Sequence, residues 1–91
     1  MDLEIKYNQL QDKTDVYAKI QEEVGGMLEK FQVKADLEFL TDEIKAKGKG
    51  FDLILKTLED RCTVDIKLSF LLKPLKGQIL GGLEKQLKKI L

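Results

Sequence analysis

The sequence predicts an α+β fold: a curved antiparallel sheet of four to five strands, with two helices packed on one of its faces. Three observations carry that reading. Runs of alternating apolar and polar residues occupy positions 3–7, 33–39 and 62–70, and a period of two marks a strand with one buried face. Two longer stretches, near 14–31 and 72–90, repeat their apolar residues at helical spacing. Each strand is also apolar on one side only. Such a sheet collects helices on that side and leaves the other in water.

In chain order, Leu3, Ile5 and Tyr7 alternate with Glu4 and Lys6, which reads as a short strand. Asn8 to Asp12 form a polar connection, and Asp12 or Thr14 can cap a helix by accepting a hydrogen bond from a free backbone N–H. Val16, Tyr17, Ile20, Val24, Met27, Leu28 and Phe31 then form one stripe, with Lys19, Glu22, Glu23 and Glu29 off it. Gly25 and Gly26 lower helix propensity inside this segment and imply close packing or a kink.

Beyond the helix the period returns to two. Val33, Ala35, Leu37 and Phe39 share one face, and Lys34, Asp36 and Glu38 the other. Thr41 and Asp42 supply turn chemistry. Ile44, Ala46 and Gly48 continue an inward set, but after Gly48-Lys49-Gly50 the inward residues become Phe51, Leu53 and Leu55. A parity shift at glycine is what a β-bulge or a sharp bend requires. Residues 43–57 therefore read as one bent strand or two consecutive short ones.

Glu59, Asp60 and Arg61 make a charged turn. Cys62, Val64, Ile66, Leu68 and Phe70 then alternate against Thr63, Asp65, Lys67 and Ser69. Pro74 fits the first turn of a final helix, where its missing N–H costs nothing. Leu72, Leu75, Ile79, Leu83, Leu87 and Ile90 form that helix's expected buried stripe. The order is β-α-β-β-(β)-β-α, a reduced helix-grip-like arrangement in a single domain over residues 1–91.

Composition narrows the function. Sixteen basic and sixteen acidic residues give zero formal net charge, which disfavours general nucleic-acid binding because counterion release needs a basic face. There is no histidine, so the commonest metal ligand and the usual general base at neutral pH are missing. Cys62 is the sole cysteine. No intramolecular disulfide can form, and its inward phase makes it a small buried apolar residue. Glu22-Glu23, Asp42-Glu43 and Glu59-Asp60 read as solvated surface. No calcium-loop or phosphate-loop spacing occurs. The expectation is a protein that is not an enzyme, with no catalytic residue, cofactor or metal site. No apolar run reaches transmembrane length. The N-terminus lacks the basic start and apolar run of a signal peptide, so the expected compartment is the cytoplasm.

The C-terminal helix has the most functional content. Lys73, Lys76, Lys85, Lys88 and Lys89 crowd it, with Glu84 the sole acid. A basic amphipathic helix can lie on an anionic or lipid surface. The simpler reading is that the lysines complement the helix C-terminus while the apolar stripe packs on the sheet, whose face would otherwise be bare. Two further candidates remain open. Phe51, Leu53, Leu68 and Leu83 could line an apolar pocket between sheet and helix. The edge strand at 3–7 and Ile54 could serve a homodimer or a protein partner.

The segment Val64 to Leu91 carries an alternating strand, the junction Phe70-Leu71-Leu72-Lys73-Pro74-Leu75-Lys76, and a helix with apolar spacing to the chain end. In this it resembles the polyhydroxyalkanoic acid system protein family. The upstream half is compatible with the same family in element order. The resemblance implies a short bacterial protein associated with storage-polymer granules or their regulation. It carries over no catalytic residue.

Overall fold

A computed structural model describes residues 2–7, 12–30 and 34–90. The elements are β1 (Leu3–Lys6), α1 (Lys13–Lys30), β2 (Asp36–Phe39), β3 (Glu43–Gly48), β4 (Phe51–Thr57), β5 (Arg61–Leu68), a 3-10 turn (Lys73–Leu75) and α2 (Lys76–Ile90). The strands form one antiparallel sheet in the order β1-β5-β4-β3-β2. From β2 to β5 the chain is a meander of hairpins. β1 lies at the far edge, on β5, so α1 carries the chain across the sheet from one edge to the other.

The register sorts side chains by face, because residues directly opposite on antiparallel strands share one. Ile44 opposes Leu55, Ala46 opposes Leu53, and Gly48 opposes Phe51. Leu55 opposes Val64, Leu53 opposes Ile66, and Phe51 opposes Leu68. Ile5 opposes Cys62. These residues are buried, apart from Gly48 and Leu68, which are half-buried. The outer face is a charge lattice. One row across the strands reads Asp36, Lys47, Asp52, Lys67, and the next reads Glu38, Lys45, Ile54, Asp65. Opposite charges on facing strands stabilise a sheet that meets water.

Both helices cover the inner face. α1 contributes Val16, Ile20, Val24, Met27 and Leu28 to the core, and α2 contributes Ile79, Leu83 and Leu87. The Asp15 N–H donates to the Asp12 carboxylate at 2.8 Å, so Asp12 is the cap. The Tyr17 hydroxyl donates to the Leu40 carbonyl, and Lys13 pairs with Asp42 at 3.4 Å, which ties the start of α1 to the β2–β3 turn. At the other end of the sheet, Asp2 accepts the Ile66 N–H at 2.9 Å and pairs with Lys76 at 3.1 Å. The Ile66 N–H and then the Lys76 ammonium hold the Asp2 carboxyl below its ordinary range.

Residues 43–57 form two consecutive strands, the second of the two readings, joined by the turn Lys49-Gly50. Three other expectations are corrected. Opposing positions in this hairpin differ in parity, as Gly48 and Phe51 do, so the shift at the glycines is a reversal and not a bulge. Phe70 does not extend the last strand inward. β5 ends at Leu68, because its partner β4 begins at Phe51, directly opposite. Leu75 is not in the buried stripe of α2; it is 44% exposed in the 3-10 turn before it, and Leu72 is half-buried. The expected connection through Asn8 to Gln11, the stripe residue Phe31, and Val33 lie outside the described residues.

Two glycines make opposite predictions. Gly50 has φ +73°, and a Cβ there would sit 2.7 Å from the Ser69 hydroxyl. Gly50→Ala is expected to lower unfolding free energy by about 1 kcal/mol or more. Gly26 lies within α1 with nothing within 4 Å of an added Cβ, so Gly26→Ala is expected to raise it by about 0.5–1 kcal/mol. Urea titration of both variants checks the pair; a neutral Gly50→Ala would refute the hairpin geometry.

Candidate functional site

Among the described residues, the most exposed large apolar ones lie on the corner between β5 and α2. Phe70 is 84% exposed and Leu71 85%. Their backbone is tied on both sides. The Ser69 N–H donates to the Gly50 carbonyl at 2.8 Å, and the Ser69 carbonyl accepts the N–H groups of Leu72 and Lys73, each at 3.0 Å. The Leu75 N–H closes the next turn onto the Leu72 carbonyl at 2.9 Å. Pro74 stands in this first turn, where it lacks no partner. The result is a fixed knob with Phe70 and Leu71 at its tip and Leu75 beside it. Exposing large apolar side chains forgoes roughly 1.5–3 kcal/mol each relative to burial. A contiguous group of them marks an interaction surface, whereas a single one does not.

The hairpin connections sort the charges along the strands. The corner, the Lys49-Gly50 turn and the start of β2 lie at one end of the sheet. There Lys34, Lys47, Lys49, Lys67, Lys73 and Lys76 outnumber Asp2, Asp36 and Asp52. The β2–β3 and β4–β5 turns lie at the other end, where Asp42, Glu43, Glu59 and Asp60 gather beside the Asp12 cap and outnumber Lys13, Lys56 and Arg61, which pair with them. A chain of zero net charge is thus polarised, with its exposed apolar knob at the basic end.

The five lysines singled out in the sequence do not form one patch. Lys73 and Lys76 lie on the corner, with Lys76 paired to Asp2. Lys85, Lys88 and Lys89 lie 9 to 13 residues beyond Lys76 on α2, about 14–20 Å along the axis. Lys88 pairs with Glu84 at 2.8 Å. The α2 surface that carries them also holds Gly77, Gln78 and Gly81, and no apolar side chain. The apolar stripe of α2 is therefore committed to the sheet.

Of the proposed pocket residues, Phe51, Leu53 and Leu83 are core members at 2% exposure each, and Leu68 packs against them. The two described cavities lie elsewhere. One of about 530 Å³ sits at the acidic end, between Lys13, Asp42, Glu43, Lys56 and Glu59. The other, of about 670 Å³, is a groove on the outer sheet face that includes Ile54. Across the strands Ile54 meets Lys45 and Asp65, so no apolar cluster surrounds it. β1 is an edge strand, as the alternation at 3–7 suggested.

Sequence periodicity missed Phe70, Leu71 and Leu75 because it placed Phe70 and Leu75 inward. A signal was present. Phe70-Leu71-Leu72 are three apolar residues in a row, and no strand or helix can turn all three toward one core.

The Cys62 thiol is buried on the inner face, and desolvation pushes its pKa up to about 11. The Tyr7 hydroxyl bridges the carbonyls of Leu58 and Arg61, each at 2.7 Å. Burial, then the nearby Cys62, pushes it up to about 12. Among the described residues, no three or more acidic or cysteine side chains gather as metal ligands. Among the same described residues, no helix is long and apolar enough to cross a membrane.

A family model described as putative polyhydroxyalkanoic acid system protein matches residues 3–91, nearly the whole chain. No curated protein and no solved structure matches it.

The raised thiol and phenol have a definite sign in stability. The folded chain keeps protons that the unfolded chain releases near the ordinary values of 9.0 and 10.0. The contribution of these two groups is therefore level below pH of about 9 and falls as pH rises toward about 12. Urea midpoints measured against pH are expected to show that fall, with its onset moved later in Cys62→Ala. A midpoint that stays level through this window would contradict the burial of both groups.

Proposed function

The chain belongs to the polyhydroxyalkanoic acid system protein family, and on that premise we propose that it is a non-catalytic accessory protein that docks on the surface of a storage-polymer granule through its basic, apolar end. The observation that carries this reading is the pinned corner with Phe70 and Leu71 outward. A preformed contact loses little conformational freedom on binding, so most of its burial energy remains as affinity. Lys73 and Lys76 stand on the same corner, while Lys85, Lys88 and Lys89 add a weaker steering field from the far turns of α2.

The non-catalytic part of the reading has two supports. The chain contains no histidine, and its only thiol is buried and held protonated at neutral pH. In this reading the protein works in the cytoplasm, where it would coat or organise a granule and not build or cleave its polymer.

Sedimentation with purified polyhydroxyalkanoate granules tests the proposal. The wild-type protein is expected in the pellet with no hydroxyacid monomer released. The double variant Phe70→Ser/Leu71→Ser is expected to lose capture by about tenfold or more. Both side chains are exposed, so its stability should stay within about 0.5 kcal/mol of wild type. Lys73→Glu/Lys76→Glu should weaken capture more than Lys85→Glu/Lys89→Glu. Wild-type protein left in the supernatant, or released monomer, would overturn the reading.

A further inference from the structure

The geometry points to an insertion site for an anionic phospholipid monolayer: the corner at 69–76 drives Phe70 and Leu71 between the acyl chains while lysines grip the headgroups. This rests on the surface-docking reading above and names what that surface presents. The argument begins with shape. Phe70 and Leu71 project into solvent, and neither described cavity includes them. A protein partner would have to supply a matching cavity and a wide rim, because stable protein interfaces cover about 800 Å² on each side. Three side chains on one corner offer only a few hundred Å². A fluid lipid layer needs no matching cavity, since its chains close around whatever enters.

Charge then selects among apolar surfaces. Lys49 is exposed beside the knob and Lys73 follows it directly, while Lys67, opposite Asp52, and Lys76, paired with Asp2, add partly balanced charge. Lys49 is brought there by the bond from the Ser69 N–H to the Gly50 carbonyl. A bare polyester surface is neutral and offers such a collar no counter-charge. A phospholipid monolayer with anionic headgroups offers it at the depth where the tip ends and the collar begins. Polarity of the molecule completes the orientation. The acidic β2–β3 and β4–β5 turns lie at the opposite end of strands up to eight residues long, on the order of 25 Å away, and are repelled from the same surface.

The protein contains no tryptophan, so Phe70→Trp places a single indole reporter at the tip. The test mixes this variant, wild type and Phe70→Ser/Leu71→Ser with vesicles of phosphatidylcholine and phosphatidylglycerol in equal parts. Vesicles of phosphatidylcholine alone and lipid-free polyester particles serve as comparisons. The expected result is flotation with the anionic vesicles only, weakened by salt and reduced about tenfold or more in the double-serine variant. The indole emission should shift to the blue and be quenched by lipids brominated on their acyl chains. Circular dichroism confirms that each variant is folded. Flotation that survives the double-serine change, or an indole that stays in water on binding, overturns the insertion. Capture by lipid-free polyester without capture by vesicles overturns it too, yet leaves granule docking standing. Capture by neither particle overturns both.

Discussion

The inner face of the β4–β5 pair is the constraint on which the rest of the molecule depends. Phe51, Leu53 and Leu55 oppose Leu68, Ile66 and Val64 there, in the middle of the sheet. A chain of this length can cover one face of a five-stranded sheet with two helices, and both must go to the same side. That demand commits the stripe of α1 and the stripe of α2 together. The exposed positions of helix α2 are Lys76, Gly77, Gln78, Gly81, Lys85, Lys88 and Lys89. The helix cannot also lie with an apolar face in an interface. Among the described residues, the largest apolar exposure falls instead on the corner between β5 and α2, where Phe70 and Leu71 stand outside the core.

Short bonds make that corner a fixed structure. Ser69 joins the β3–β4 turn to the entry of α2 through its N–H and its carbonyl. Gly50 allows the approach, since a side chain there would meet the Ser69 hydroxyl. Gly48 has the same function one step earlier, where an added Cβ would lie 2.4 Å from the Lys34 carbonyl. At the same end, β1 is only four residues long and pairs with one neighbour. Its hold on the sheet is reinforced on one side by Asp2, which bonds Ile66 and Lys76, and on the other by the Tyr7 bridge. The Asp2 contribution requires its carboxylate. It is present above the ordinary aspartate pKa and is lost as pH falls through the lowered folded value.

The charge polarity follows from connectivity more than from composition. In a meander, turns alternate between the two ends of the sheet. The turns at 41–42 and 59–60 are acidic, while Lys49 and the residues about the corner are basic. Equal numbers of positive and negative residues therefore hide a molecule with two unlike ends, which net charge alone does not reveal.

Local pattern was enough to locate the core. The alternation of Ile44 and Ala46, of Phe51, Leu53 and Leu55, and of Cys62, Val64 and Ile66 named the inner face, and all of these are buried. The Ile20, Val24, Met27 and Ile79, Leu83, Leu87 spacings named the covering helices in the same way. Such periodicity is a property of each segment by itself and needs no partner to be visible. What the tertiary structure decided was where each pattern stops. β5 ends at Leu68 because β4 begins opposite it at Phe51, so beyond that point there is no strand for Phe70 to pair with. The α2 stripe loses Leu75 at the same boundary. The exposure of Phe70 and Leu71, and the separation of Lys73 and Lys76 from the lysines of the last turns, follow from the end of a hydrogen-bonded ladder. That end depends on a neighbouring strand and cannot be read from the residues that go past it.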